Sequence, residues 1–359
     1  MKLVNLLKEL TSLVGPSGYE YFVASFLKDH MSQKCKRVWR DPLGNVICQL
    51  NELSNKPRVA VFAHMDELGF IVRKIEDNGF LRVERLGGIP EKAIASTRVI
   101  VLTEDDRKIE GVIGVKSHHL TKIEERRVVT SVQDIYIDVG AETKEEVMKM
   151  GIEVGNPVVY GRQFFKIGNR IFSNSLDNRG GCAIILKALE DIDISKLKAE
   201  IYFIGSVQEE FSLRGVLPAI RSVKPDIAIC LDIAVACDTP DLEAHTDVKL
   251  GGGPTINMYT FHGRGTLAGL IPSKELVKKI FEIANEEKIN LQRNVFFGGL
   301  TDSSFAQLEL SGIPSIDLGF PTRYTHSPLE VCDIRDLEAL EKLLISILYR
   351  IDEDFLIIQ

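Results

Sequence analysis

The chain has 359 residues, 45% hydrophobic and 26% charged, which is the composition of a globular protein long enough for about two domains. Its 44 lysines and arginines against 51 acidic residues give a net charge of −7, without the basic footprint that nucleic acid requires. The longest apolar runs are far too short to cross a bilayer. We therefore expect a soluble cytoplasmic protein with neither a nucleic-acid partner nor a membrane partner.

The six cysteines stand singly along the chain, and no two of them form a C-x-x-C pair. Several lie in apolar stretches, Cys182 and Cys230 among them. We expect the cysteines to be small buried side chains that stay reduced, which agrees with a cytoplasmic location.

The N-terminal part of the chain predicts two helices followed by two short strands. Leucines repeat at helical spacing over 3–10, a Gly-Pro-Ser-Gly break follows at 15–18, and a second amphipathic run covers 19–31. Strands are predicted over 45–50 and 58–63. The second strand is almost continuously apolar, which is typical of a parallel strand that is covered on both faces.

The segment from 68 to 166 has a different pattern, with short β-branched runs between turns. It contains a single helix candidate, over 144–150. Such spacing predicts a small β-barrel or sandwich. The predicted strands of this segment include 97–102, 111–115, 128–130 and 135–139.

From residue 169 onward, strands and helices alternate, which indicates an α/β fold. The N-terminal elements can join this fold only if the β-rich segment is an insertion. We therefore predict a discontinuous α/β domain over 1–67 and 167–359, with a mixed, mostly parallel sheet flanked by helices, and an inserted β-rich domain over 68–166. The predicted helices of this part are 178–190, 213–223, 273–288 and 334–350, and the strands are 200–207, 226–231 and 315–318.

Polar side chains stand where the predicted apolar strands end. Because the carboxyl ends of parallel strands meet at one edge of a sheet, these side chains should lie close together. The first pair is His64 and Asp66, which are two residues apart and so project from one face of an extended strand. The others are Asp177 at a helix start, Glu209 and Glu210 after 200–207, Asp232 after 226–231, and His326 beyond 315–318.

Imidazole and carboxylate ligands together suit two borderline divalent cations such as zinc or cobalt, rather than magnesium or calcium. Two such cations, three ligating carboxylates and one hydroxide would carry no net charge. One of the adjacent glutamates, Glu209 or Glu210, would then remain free as a general base for metal-assisted hydrolysis. The residues alone do not decide which of the two it is.

Ordered motifs along nearly the whole chain identify a family. The sequence resembles the tetrahedral (TET-type), glutamyl-aminopeptidase-like co-catalytic metallopeptidases, some members of which have been labelled endoglucanases. The resemblance implies a zinc-peptidase type of fold. The matching segments are Gly-Pro-Ser-Gly-Tyr-Glu at 15–20, Ala-His-Met-Asp-Glu-Leu-Gly-Phe at 63–70, Gly-Val-Ile-Gly at 111–114, Ser-Leu-Asp-Asn-Arg at 175–179, Gln-Glu-Glu at 208–210, Leu-Arg-Gly at 213–215, Cys-Asp-Thr-Pro at 237–240, Gly-Gly-Gly-Pro at 251–254, Thr-Asp-Ser at 301–303 and Tyr-Thr-His-Ser-Pro at 324–328.

The resemblance implies a metal-dependent aminopeptidase that removes N-terminal residues from short peptides with a metal-activated water. It implies two divalent ions per subunit, zinc before cobalt or manganese, and a cis peptide bond between Asp177 and Asn178. The implied roles are His64 and Asp232 on one ion, Glu210 and His326 on the other, Asp177 bridging both, Glu209 as general base, and Asp66 as the carboxylate that orients His64.

The resemblance also implies that the insertion is a dimerisation domain and that dimers assemble into a hollow dodecamer. The sequence departs from the family pattern at two places. Phe211 and Ser212 replace a small apolar residue and a glycine, and Gly180 stands where alanine is common. Neither departure lies at a ligand position, so the expected chemistry is unaffected. The preferred N-terminal residue of the substrate stays open.

Two alternatives belong to other functional classes. A glycosidase would need two carboxylates roughly 5–9 Å apart across a sugar bond and no metal. Adjacent Glu209 and Glu210 cannot easily take those positions, and the histidines would have no role. A catalytically silent cage or binding scaffold would assemble without turnover, but all five ligand positions are filled here.

Overall fold

The computed structural model describes residues 1–263 and 268–356. Among these residues, no helix has both the length and the apolar content needed to cross a membrane. The α-helices are α1 Leu3–Ser12, α2 Tyr21–Met31, α3 Lys144–Lys149, α4 Leu176–Asp191, α5 Val216–Val223, α6 Lys274–Glu286, α7 Ser303–Ala306 and α8 Ile334–Arg350.

The strands form one large mixed sheet and one small closed barrel. They are β1 Arg37–Arg40, β2 Val46–Gln49, β3 Arg58–His64, β4 Gly69–Ile75, β5 Leu81–Leu86, β6 Arg98–Leu102, β7 Lys108–Ile113, β8 Ile137–Asp138, β9 Pro157–Tyr160, β10 Phe164–Ile167, β11 Arg170–Ser173, β12 Glu200–Ser206, β13 Ile227–Val235, β14 Thr255–Phe261, β15 Gly269–Leu270, β16 Gln292–Phe297, β17 Ser315–Arg323 and β18 Glu330–Asp333.

The large sheet has four parallel strands at its centre, in the order β12-β3-β13-β17. Antiparallel strands extend it on both sides, and β14 to β16 branch from β17. Successive residues of β3 pack into different cores. Val59 and Val61 lie in the core with α1, α4 and α8, whereas Ala60 and Phe62 lie in the core with α5. Cover on both faces explains the continuous apolar run, and the mixed α/β architecture predicted from the sequence is confirmed.

The closed barrel has the strand order β4-β5-β8-β7-β6-β9 and its own apolar core. Its strands lie between Gly69 and Tyr160, and the domain boundaries at 68 and 166 stay a prediction. The strand predicted over 128–130 is wrong. Those residues form a loop in which Val128 is 70% exposed, so β-branched residues alone did not indicate a strand there. We call β4 to β9 and their connections the inserted barrel.

The cysteine prediction is wrong for one pair. Cys35 and Cys48 form a disulfide, with Cα atoms 6.0 Å apart, because Cys35 lies just before β1 and Cys48 lies on its antiparallel partner β2. The remaining four, Cys182, Cys230, Cys237 and Cys332, are buried and free as expected. The cytoplasmic location rested partly on unpaired cysteines, so this support is reduced and the location stays a prediction.

The packing of helix α4 on the sheet leaves no room for a side chain at Gly180. Helix α4 lies against the sheet, and a Cβ added at Gly180 would overlap the ring of Phe320 on β17. Phe320 is fully buried, so its ring has little room to move away. The large aromatic ring and the missing Cβ therefore compensate for each other.

We expect Gly180→Ala to lower the free energy of unfolding by about 1–3 kcal/mol, because overpacking a filled core forces side chains or backbone to shift. Replacing the ring by a smaller side chain, in the double variant Gly180→Ala/Phe320→Leu, should make room for the added Cβ. The double variant should therefore lose less free energy of unfolding than the two single variants lose together. Urea unfolding of the four proteins measures both effects. A Gly180→Ala protein as stable as the parent would contradict this account of the helix–sheet contact.

Candidate metal centre

The sheet brings all the side chains of the proposed site to one edge. His64 is the last residue of β3, Glu209 and Glu210 follow β12, Asp232 lies in β13, and His326 follows β17. These four strands are consecutive neighbours, so their carboxyl ends meet. Both β13 and β17 run further than predicted and pair with each other as far as Val235 and Thr322. Asp177 reaches the same edge from the first turn of α4.

Asp177 stands between the two histidines. Its Oδ1 lies 3.1 Å from Nε2 of His64, and its Oδ2 lies 3.5 Å from Nε2 of His326. Each carboxylate oxygen therefore faces a different imidazole, as a carboxylate that bridges two ions would.

The peptide bond from Asp177 to Asn178 is cis, which confirms the linkage that the resemblance implied.

Both imidazole rings are held through Nδ1. In His64 this atom lies 3.2 Å from the backbone oxygen of Asp66 and 3.4 Å from its Oδ1. In His326 it lies 2.7 Å from the backbone oxygen of Gly88. An Nδ1–H that donates to these oxygens leaves Nε2 directed at the carboxylates, where it carries a proton in the metal-free chain and would offer its lone pair to a bound ion, as metal-binding histidines usually do.

Asp66 also orients the two glutamates. The backbone N–H of Glu209 donates to its Oδ1 and that of Glu210 donates to its Oδ2, both at 3.0 Å. The hydroxyl of Ser17 donates to Oδ2 at 2.6 Å. One buried carboxylate thus holds a histidine and the turn that carries both glutamates, a second role that sequence reasoning missed.

Side-chain nitrogen and oxygen atoms at this edge of the sheet form groups that could each hold a divalent ion. Within each group the atoms lie within 4.8 Å of one another, and Oε1 of Glu210 is buried without a hydrogen-bond partner. Nitrogen and oxygen donors at such separations fit the pair of ions that the resemblance implies. The groups are His64, Asp177 and Asp232; Asp177, Glu210 and His326; and His64, Glu209 and Glu210.

Burial and crowding raise the pKa values of three carboxyl groups of the site, those of Glu209, Glu210 and Asp232. Burial raises the pKa of Glu209 well above its ordinary value, and Glu210 and Asp232 raise it further. Burial and then Asp177 do the same to the pKa of Asp232. Burial also raises the pKa of Glu210 to about 7, although His326 opposes the shift. Without cations, this edge of the sheet disfavours its own negative charge.

The histidines respond in the opposite way. Burial opposes their charged forms, but Glu209 and Asp177 raise the pKa of His64, and Glu210 and Asp177 raise that of His326, in both cases well above the ordinary value. Burial likewise opposes ionisation of Asp177, yet hydrogen bonds from both rings hold its pKa far below the usual range. Protonated imidazoles therefore supply positive charge that bound metal ions would otherwise provide.

Two buried acids near the site were missed from the sequence. Glu330 accepts the backbone N–H of Asp177 at 3.1 Å through one oxygen and that of His326 at 2.9 Å through the other. Burial, with Asp177 adding to it, raises the pKa of Glu330 to about 8. The hydroxyl of Ser206 donates a hydrogen bond to Asp302 at 2.6 Å, and burial raises the pKa of Asp302 to about 7. No strand-end pattern marked either residue.

A cavity of about 730 Å³ opens beside these groups, within the usual range for small-molecule sites. The six residues of the groups belong to its lining. The remaining lining is mostly apolar and includes Ile89, Ile233, Val235, Phe296, Leu300 and Phe305.

The fold and this site define the chain as a hydrolase of the metallo-aminopeptidase class, and comparisons with known proteins agree. The family model of the M42 glutamyl aminopeptidases matches residues 44–343, so the chain belongs to that family. The glutamyl aminopeptidase of Lactococcus lactis is 30% identical over 94% of this chain and 93% of its own length.

Solved structures give the same result. An aminopeptidase of the archaeon Desulfurococcus kamchatkensis is 35% identical, with a TM-score of 0.93 over 99% of this chain and 97% of that one. The Pyrococcus horikoshii TET1 peptidase, which can assemble into a tetrahedron or a large octahedral shell, is 30% identical with a TM-score of 0.87, over 98% of this chain and 100% of that one. A metal-dependent aminopeptidase is therefore favoured over a glycosidase or a silent scaffold.

The raised pKa values predict how the metal-free protein responds to pH. Glu210 and Asp302, each with a pKa of about 7, hold protons in the folded chain that the unfolded chain releases near pH 4. The unfolded state therefore binds fewer protons between these values, and the free energy of unfolding should fall as pH rises from about 4.5 to 7. The raised histidine pKa values act with the same sign.

Chemical unfolding of the chelator-treated protein across this pH range measures the slope. Asp302→Asn should make the slope shallower because one titrating group is gone, and metal-loaded protein should lose most of the dependence. Metal-free protein whose stability rises steadily from pH 5 to pH 7 would contradict this account of the buried acids.

Proposed function

We propose that the chain removes N-terminal residues from short peptides with two divalent ions, zinc before cobalt or manganese, and with Glu209 as general base. One ion would be held by His64 and Asp232, the other by Glu210 and His326, and Asp177 would bridge both. The observation that carries this proposal is the position of Asp177, whose two oxygens face the Nε2 atoms of different histidines at 3.1 and 3.5 Å.

Bound divalent ions would polarise the scissile carbonyl and lower the pKa of the attacking water. Glu209 would accept the proton of that water and transfer it to the amine of the departing peptide. Asp66 would keep Glu209 in place through the hydrogen bond from its backbone N–H. Oε2 of Glu209 lies 3.9 Å from Nε2 of His64, so the proposed base lies directly beside the proposed ligands.

The two adjacent glutamates can be separated by measuring metal content beside kinetics. Glu209→Gln removes the proton acceptor but keeps shape, so we expect a rate loss of about 10²–10⁴ with two ions still bound per chain. Glu210→Gln is the matched control, because it changes the neighbouring side chain in the same way and should weaken at least one ion. Asp177→Asn should also weaken at least one ion, because the bridge loses its charge.

If Glu209→Gln lost metal while Glu210→Gln kept both ions, the two roles would be reversed. If Glu209→Gln kept full activity on an aminoacyl-p-nitroanilide panel, the general-base mechanism itself would be wrong. A parent enzyme whose activity on every substrate of the panel survived chelation would contradict the metal dependence.

We also propose that dimers form through the inserted barrel and assemble into a dodecamer. Support comes from the loop between β7 and β8, where Leu120, Ile123 and Val128 are 76%, 79% and 70% exposed. Apolar side chains grouped on a surface are better buried against a partner. The Pyrococcus horikoshii relative provides a precedent for large assemblies of this fold.

Placing charge on that loop should reduce the particle size. We expect Leu120→Asp/Ile123→Asp to sediment as smaller particles than the parent, because carboxylates buried in an apolar contact are costly. Ser54→Asp, which adds a carboxylate at an exposed polar position outside the inserted barrel, is the control and should leave the mass unchanged. Unchanged mass in the double variant would place the assembly contacts elsewhere.

A further inference from the structure

Among the residues that the structure describes, the inserted barrel contacts proposed ligands of one ion, Glu210 and His326, and makes no hydrogen bond or ion pair to those of the other. The connection after β5 passes over the site, and the backbone oxygen of Gly88 lies 2.7 Å from Nδ1 of His326. A Cβ added at the neighbouring Gly87 would lie 3.5 Å from Cβ of Glu210. The hydrogen bonds and ion pairs that the structure describes for the side chains of His64 and Asp232 involve no barrel residue.

A buried ion pair fastens the barrel where the chain enters and leaves it. Glu67 precedes β4 and Arg162 follows β9, and the guanidinium donates to both carboxylate oxygens at 2.6 Å. The two side chains are only 2% and 17% exposed. Paired hydrogen bonds between ionised groups are among the strongest and most directional, so this pair fixes the orientation of the barrel on the sheet.

The carboxylate of Glu67 also contacts the turn that carries Asp177, the proposed bridging ligand. The hydroxyl of Ser175 donates to Oε2 of Glu67 at 2.6 Å, and Nη2 of Arg179 lies 3.4 Å from Oε1. These two residues flank Asp177 by two positions on either side. Arg179 is fully buried and also donates to the backbone oxygen of Leu10 at 2.8 Å. The turn that presents Asp177 is therefore held by the group that clamps the barrel.

We propose that the inserted barrel is a positioning element of the metal centre, with Gly88 inside the barrel and Arg162, directly after its last strand, as the two contact residues. Gly88 fixes the ring of His326 through its backbone oxygen. Arg162 holds the barrel, and through Glu67 the turn of Asp177, in register with that ring. The inference rests on the two-ion site proposed above and goes beyond it, because it makes the affinity for the ion at Glu210 and His326 depend on how the barrel is seated.

Stepwise zinc affinity, measured by competition with a fluorescent chelator, tests this. His326→Ala first identifies which of two binding steps belongs to that ligand. Gly88→Ala keeps all charges but places a Cβ 3.2 Å from Nδ1 of His326, so the ring must move. We expect it to weaken that step about ten- to hundred-fold, the usual effect of disturbing a group that orients a ligand, and to leave the other step unchanged.

Arg162→Met should weaken the same step at least as much. Of the charged partners that the structure describes for Glu67, only Arg179, at 3.4 Å, then remains, so Arg162→Gln, which still offers hydrogen-bond donors to the carboxylate, serves if Arg162→Met does not fold. Arg162→Lys keeps the charge but not the paired geometry and should give an intermediate affinity. Arg98→Met is the matched control, since Arg98 pairs with Glu110 on the exposed surface of the barrel and should leave both steps unchanged.

The outcomes are distinct. Folded Gly88→Ala protein, or folded Arg162→Met or Arg162→Gln protein, with both zinc steps at parental affinity overturns the inference, and so does an equal loss in Arg98→Met. A parent chain that binds two zinc ions without hydrolysing any aminoacyl-p-nitroanilide overturns the proposed function alone. A parent chain that binds a single ion overturns both.

Discussion

The structure depends on one electrostatic constraint, which is the concentration of carboxylates at a buried edge of the sheet. Asp177, Glu209, Glu210 and Asp232 are brought together with little access to water, and burial opposes the ionisation of each. Charges so placed need cations or protons beside them. In the metal-free chain His64 and His326 supply protons, and two divalent ions would neutralise the cluster more completely.

Much of this arrangement could be predicted from the sequence because it follows from strand geometry. Parallel strands that are covered on both faces are apolar throughout, so the point where polarity returns marks the sheet edge, as at His64 and Glu209. The α/β alternation and the β-rich middle segment were visible for the same reason. The choice between Glu209 and Glu210 as base came from the resemblance to the family, since neighbouring residues of one type carry no distinguishing pattern.

What could not be predicted depends on contacts between distant parts of the chain. Glu330 lies 153 positions from Asp177, and Arg162 lies 95 positions from Glu67, so no local pattern connects them. Gly88 acts through a backbone oxygen, which any residue would possess. Several barrel strands were missed because charged residues on the outer face interrupt the apolar pattern, and the disulfide between Cys35 and Cys48 depends on a hairpin that was not predicted.

The central claim is that two ions share the carboxylate of Asp177. Anomalous diffraction from crystals of the full chain grown with zinc measures this directly. The account predicts two peaks about 3.5–4 Å apart, the spacing of two-metal sites, with Asp177 between them and Glu209 bound to neither. A single peak, or an ion ligated by Glu209 in place of Glu210, would contradict it.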